Sequence, residues 1–253
     1  MTRPAVLVTG GAKRIGAAIA RAFGEAGWHV IIHYRTSERA AQELADSLPE
    51  ASTVQADLLA EGAAAALSQQ LAGQHADWRC LVNSASVFEY DDAASLDPAL
   101  AARAMRINAI APARLAQAFL AHSRADARTV IQVTDQKLAN PNPDFFSYSM
   151  SKHALAATIP MLANAAESPA DRIYGLAPGA ILASHDQDEA ETERSHRLNL
   201  LARRTEASEV ADAALFLASG TLASGQTLFV DSGQHLLDQP RDVIFLAREG
   251  AGT

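Results

Sequence analysis

The stretch Val6-Leu7-Val8-Thr9-Gly10-Gly11-Ala12-Lys13-Arg14-Ile15-Gly16-Ala17-Ala18-Ile19-Ala20 decides how this chain folds. Its apolar, β-rich start runs into a turn of small residues, and the turn opens directly into alanine-rich helical periodicity. Small residues let a backbone turn sharply and come close to a diphosphate, whose charge is met by the N–H groups of a helix N-terminus. The turn lies after the first strand and before a helix, in a unit of about 30 residues. That context reads as a dinucleotide site, with Thr9, Gly10, Lys13, Arg14, Ile15 and Gly16 around the ligand.

The same rhythm continues along the chain. Strands are predicted at 5–9, 29–34, 53–56, 80–83, 129–134, 172–177 and 227–230, and helices at 14–26, 37–47, 62–74, 97–123, 145–167 and 207–219. This is the βαβ pattern of a doubly wound α/β fold, a parallel sheet with helices on both faces. With 253 residues, no internal repeat and no Pro/Gly/Ser-rich linker, a single domain over 1–253 is expected. Pro160, inside the helix predicted at 145–167, is expected to bend it.

Composition narrows the function classes. A net charge of −8 argues against a nucleic-acid partner, because a polyanion needs clustered Lys and Arg. The single cysteine, Cys80, cannot form an internal disulfide, and no apolar run is long enough for a signal segment or a membrane span, so a cytoplasmic protein is expected. No His, Cys or acidic cluster has metal-ligand spacing, and His33 and His153 do not read as ligands.

The second strand ends in His33-Tyr34-Arg35-Thr36-Ser37, without the acid that would hold the ribose 2′-hydroxyl of NAD. Arg35 offers a fork to a 2′-phosphate, Thr36 and Ser37 offer hydroxyls, and Arg14 can add charge, so NADPH is the expected cofactor. Further along, Tyr148-Ser149-Met150-Ser151-Lys152 places a phenol and an ammonium on one helix face. The positive charge is expected to lower the phenol's pKa and ready it for proton exchange.

With Asn83-Ser84-Ala85-Ser86 after the fourth strand, Asn108 in a long helix, Pro178-Gly179 and Asp231-Ser232-Gly233, this order resembles the short-chain dehydrogenase/reductase family over essentially the whole chain. The resemblance implies a Rossmann-like fold with seven parallel strands and a homodimer or homotetramer. It also implies Tyr148 as acid/base, Lys152 on the nicotinamide ribose, Asn108 in a water-linked proton path and Asp57 at the adenine. Leu58, Asn83, Ala85, Pro178 and Gly179 complete the cofactor site by the same pattern, with a substrate lid at about 182–202. The tail at about 234–253, apolar from Val243 to Leu246, is expected at a subunit interface.

Two departures from that family stand out. Its serine, thirteen residues before the tyrosine, is replaced by Asp135, and Arg14 occupies the turn where most members carry glycine. An ionised carboxylate cannot donate to a ketone oxygen and would repel a developing oxyanion. Thr134 could stand in only if the backbone shifted. Together the departures are similar to the pattern of pteridine reductases, with dihydromonapterin reductases nearest, and that likeness implies that Phe88 sandwiches a pterin, with Ser86, Arg14, Asp135 and Tyr148 also in contact. The acidic stretch His185-Asp186-Gln187-Asp188-Glu189-Ala190-Glu191 belongs to the same likeness. The expected activity is therefore NADPH-dependent reduction of a dihydropterin or dihydrofolate-like substrate, at C6 and N5, where no alkoxide forms and where Asp135 is expected to oppose loss of the Tyr148 proton. A carbonyl or 3-oxoacyl reductase is the alternative, and a silent NADPH-binding protein a second.

Overall fold

The computed structural model describes residues 3–184 and 187–250. Seven strands, β1 (Ala5–Thr9), β2 (His29–Tyr34), β3 (Ala51–Gln55), β4 (Trp78–Asn83), β5 (Thr129–Val133), β6 (Arg172–Pro178) and β7 (Thr227–Val230), form one sheet. The order is β3-β2-β1-β4-β5-β6-β7 and every pairing is parallel. Central strands read as unbroken apolar runs because both faces are covered, and β1 is buried at all five positions. The winding direction reverses between β1 and β4, which opens a crevice at their carboxyl ends.

Two apolar layers flank the sheet. On one face, α1 (Arg14–Glu25) and α8 (Ala207–Ala218) bury Ile19, Phe23, Val210 and Ala214 against Val6, Val8 and Ile131, with α2 (Glu38–Asp46) adding Ala41 and Leu44. On the other face, α3 (Ala63–Gln74) brings in Leu67 and Leu71 against Leu7, Leu81 and Val130. Each of the Ile, Leu, Val and Phe side chains among these contributes roughly 1.5–3 kcal/mol, and the alanines less. The period of two along β2 decides which side chains reach the crevice: Val30, Ile32 and Tyr34 enter the first layer, while His33 faces the opposite side.

The helix predicted at 97–123 is interrupted. It runs as α4 (Pro98–Ala104), a π-helical segment (Met105–Ile110) and α5 (Ala111–His122). Pro112 has no N–H to give the carbonyl of residue 108, its α-helical partner, so the hydrogen-bond ladder must shift there. Pro160, by contrast, does not end α6 (Phe146–Ala165), which continues past it for five residues. After β6 comes a short α7 (Glu189–Ser195), and after β7 a terminal α9 (Val243–Glu249).

The tail folds back on its own chain, where Val243, Ile244 and Ala247 are buried. Arg241 holds Asp144 through Nε and Nη2 at 2.8 and 2.9 Å, and Phe245 approaches Phe145 and Tyr90. The apolar stretch expected at a subunit interface is thus largely used within the chain. His185 and Asp186 of the lid segment, and residues 251–253 of the tail, lie outside the described residues.

Candidate active site

A cleft of about 490 Å³ opens at the carboxyl ends of the central strands. It is lined by Gly10, Lys13, Arg14, Ile15 and Gly16 from the glycine turn, by His33, Arg35, Asp57 and Leu58 at one end, and by Ala85, Ser86, Phe88, Asp135, Tyr148, Lys152, Pro178 and Gly179 at the other. Residues scattered over 170 positions of the sequence therefore share one wall.

The glycine turn is built for close approach. A Cβ on Gly16 would lie 2.4 Å from the carbonyl oxygen of Gly10, and Gly10 itself sits at φ +62° against the backbone of Ala85. The first turn of α1 has no acidic residue, and its N-cap, Lys13, makes no side-chain cap bond. Its amides are left to face an anion in the cleft. Arg14 stands at φ +54°, the left-handed region that favours glycine. Its guanidinium crosses the cleft mouth and donates to the carbonyls of Ala183 at 3.2 Å and Leu182 at 3.5 Å. At the end of β2, Nδ1 of His33 accepts from Gly10 N at 3.2 Å while Nε2 bonds the Ala56 carbonyl at 3.1 Å, which makes Nε2 the protonated nitrogen of a neutral ring.

At the far end the Tyr148 hydroxyl donates to Oδ2 of Asp135 at 2.7 Å. The other oxygen, Oδ1, accepts the Lys137 amide at 2.9 Å, so one carboxylate both caps the 3₁₀ turn Gln136–Leu138 and holds the phenol. Burial pushes the Asp135 carboxyl above the usual carboxylate range against the pull of Lys137. Burial also pushes the Tyr148 phenol well up, and the charge of Asp135 adds to it. This reverses the expectation that Lys152 would lower the phenol. Lys152 donates to the Val133 carbonyl at 2.8 Å, and burial lowers its own pKa to about 8.

Phe88, more than a third exposed on the cleft, stacks on Phe145 with centroids 4.1 Å apart and meets the Tyr148 ring edge-on at 4.7 Å. Sequence reading missed Phe145, whose φ of +53° at the start of α6 is costly for a bulky residue and leaves no mark in composition or spacing. It also missed Lys137.

Several expected site residues stand off the cleft wall. Tyr34 is in the core, corrected by the strand alternation described above. Thr36 is exposed and Ser37 half-buried at the start of α2. Thr9 takes the amides of Ser84 and Ala85 on its hydroxyl, and Asn83 bonds Gln132 and the Pro112 carbonyl beneath the cleft. The buried Asn108 side chain is consumed by Ser86, Val87 and Ser151, which pins the loop carrying Phe88 to α6. Thr134 cannot replace the missing serine, because its hydroxyl is bonded to the Leu176 carbonyl at 3.1 Å.

Residues 10–235 match a family model described as enoyl-(acyl carrier protein) reductase. This chain belongs to the short-chain dehydrogenase/reductase family. It is an oxidoreductase of that family, similar over its length to proteins of different printed activities. Pteridine reductase 1 of Leishmania tarentolae is 31% identical, over 93% of this chain and 97% of that protein. FolM alternative dihydrofolate reductase 1 from Brucella canis, solved with NADP, is 34% identical with a TM-score of 0.85, over 94% of this chain and 96% of that one. The angucycline C-6 ketoreductase LanV, also solved with NADP, is 29% identical with a TM-score of 0.85, over 93% and 97%. Family membership accounts for the cleft; it does not by itself choose between a pterin and a ketone.

Proposed function

We propose that this reductase transfers reducing equivalents from NADPH to a 7,8-dihydropterin, giving the tetrahydro form. The carrying observation is the 2.7 Å hydrogen bond from Tyr148 to Asp135, in the place where most of the family has a neutral serine. Likeness to a pteridine reductase and an alternative dihydrofolate reductase supports the reading.

The cleft fits the dinucleotide. The uncapped N-terminus of α1 and the tight turn at Gly10 and Gly16 form a cradle that a Cβ would fill, and Arg35 stands beside it with no acid at the end of β2. When bound, NADPH supplies the hydride that reduces C6. Arg35 and Lys13 hold the 2′-phosphate and diphosphate end, and Lys152 orients the nicotinamide ribose.

The substrate end does the discriminating work. Phe88, braced by Phe145, gives a flat apolar face for the pterin ring. Asp135 accepts hydrogen bonds from pterin amino and ring N–H groups, which a ketone lacks. Tyr148, kept protonated by burial and by Asp135, is the acid that supplies the proton, which ends on N5. Arg14 and the Leu182–Ala183 backbone close the open side.

The test is a substrate panel with NADPH. Purified protein is expected to turn over 7,8-dihydromonapterin or dihydrobiopterin far faster than acetoacetyl thioesters, and Asp135→Ser is expected to damage the pterin activity while sparing or improving a ketone activity. Equal turnover of both classes, or none with pterins, would overturn the pterin reading.

A further inference from the structure

The carboxylate of Asp135 is held by more than its own turn. Two residues on, Lys137 is buried to 3% exposure, and its ammonium donates to Asp242 Oδ2 at 2.7 Å and Asn142 Oδ1 at 3.1 Å, over the Phe145 ring at 5.9 Å. Asp242 is itself buried, and it belongs to the C-terminal segment. A buried cation costs several kcal/mol unless a partner of good geometry meets it, so this pair fixes where the 135–138 turn can sit.

The surrounding contacts make the tail part of the frame. Asp242 caps α9 by accepting the amide of Ile244 at 3.0 Å, and its own amide donates to Asp144 at 2.8 Å. Arg241 clamps the same Asp144, next to the strained Phe145 that backs Phe88. Three residues earlier, Gln239 N donates to Asn140 Oδ1 at 3.2 Å, tying the same loop a second time.

We propose that Lys137 and Asp242 are a positioning pair for Asp135: the C-terminal segment locks the 135–138 turn through this buried ion pair, fixing both the aim of the Asp135 carboxylate at Tyr148 and the charge that these two groups experience. The charged and titratable groups facing Asp135 are Tyr148 and Lys152 from α6 and Lys137 from its own turn. Asp242 from the tail acts on Tyr148 as well. The inference rests on the reading of Asp135 and Tyr148 as substrate-side groups, and its test is separable from that reading.

The two partners pull the site in opposite directions, which a purely structural role would not do. In Asp242→Asn an unopposed Lys137 charge remains, so the Asp135 carboxyl should titrate lower than in wild type. In Lys137→Met an unopposed Asp242 carboxylate remains, so it should titrate higher, each by roughly half a unit or more. The readout is a ¹³C NMR titration of protein labelled at aspartate carboxyls, with Asp135 assigned by Asp135→Asn, which needs no turnover. Alongside it, kcat for the dihydropterin should fall roughly tenfold to a hundredfold in either variant, with the NADPH dissociation constant unchanged and Asp242→Glu recovering most of the loss. Shifts in the same direction, no shift, or parallel losses of cofactor binding and folding in Asp242→Asn and Asp242→Glu would overturn the proposal. Opposite shifts in a protein inactive on every pterin would uphold it and remove the substrate reading instead.

Discussion

The amide of Gly10 donates to Nδ1 of His33 across the base of the glycine turn, and the amide of Gly11 donates to the His33 carbonyl at 3.1 Å. Gly10 and Gly11, the first two residues of the glycine turn, are therefore both set by one residue of β2. The ring does this only while Nδ1 is bare, since a protonated imidazole has no acceptor left.

Burial lowers the His33 pKa below 6.5, opposed by the Ala56 carbonyl and Asp57. A group whose folded pKa is depressed in this way keeps its full contribution above the unfolded value, and the folded state loses ground as pH falls below about 6.5. Affinity for NADP⁺ is thus expected to weaken as the pH falls below 6.5 and the native ring takes up its second proton. His33→Gln, whose amide can accept from Gly10 and donate to Ala56 without titrating, should flatten that limb. Tryptophan-fluorescence titrations of NADP⁺ across this range check it; an equally steep profile in the variant would assign the limb to another group.

Arg35 is exposed at the edge of the cleft, with no acidic neighbour at the end of β2. Among the described residues its guanidinium makes no ion pair, and it can take a 2′-phosphate in a charge-assisted fork. Arg35→Ala should raise the KM for NADPH about tenfold or more and leave that for NADH nearly unchanged. Steady-state kinetics with the two cofactors decide it, and equal effects would place the 2′-phosphate elsewhere.

Lys152 carries its charge at a cost. Its pKa, lowered to about 8 by burial, means that the unfolded chain binds this proton more tightly, so stability rises as pH climbs from about 8 toward 10.5. Lys152→Met should remove that slope, raise the unfolding free energy from urea melts at pH 7 by about 1 kcal/mol or more, and abolish turnover. Wild-type activity should decline as pH passes about 8. A variant less stable than wild type would mean that the bond to Val133 outweighs the desolvation.

Much of this was legible in the sequence, and the reasons are particular. Gly10, Gly16, Tyr148 and Lys152 announce themselves because a backbone close approach and an i, i+4 pair are local properties. Asp135 was legible because a carboxylate where an alcohol is usual changes what the site can donate. Tyr34 was misplaced because a motif read as a string ignores the alternation of a strand, which sends His33 and Tyr34 to opposite faces. Lys137, Asp242 and Phe145 could not be found, since they meet only after a strand-end turn and a tail about 100 residues later fold together.

Arg14 joins the two ends of the argument, because it departs from glycine at a position whose backbone still asks for glycine. At φ +54° a side chain costs about 1–2 kcal/mol, and what the residue gains in return is its reach to Leu182 and Ala183 over the substrate end of the cleft. Arg14→Gly should relieve the strain, offset in part by the greater freedom of glycine in the unfolded chain, and leave stability unchanged or up to about 1 kcal/mol higher. Arg14→Ala keeps the strain and should be the less stable of the two. Both variants lose the tether, so both should show a raised KM for the dihydropterin. Denaturant midpoints and pterin kinetics on the pair test this together: a glycine variant less stable than the alanine variant would show that the turn does not carry the strain, and an unchanged pterin KM would show that Arg14 serves the cofactor alone.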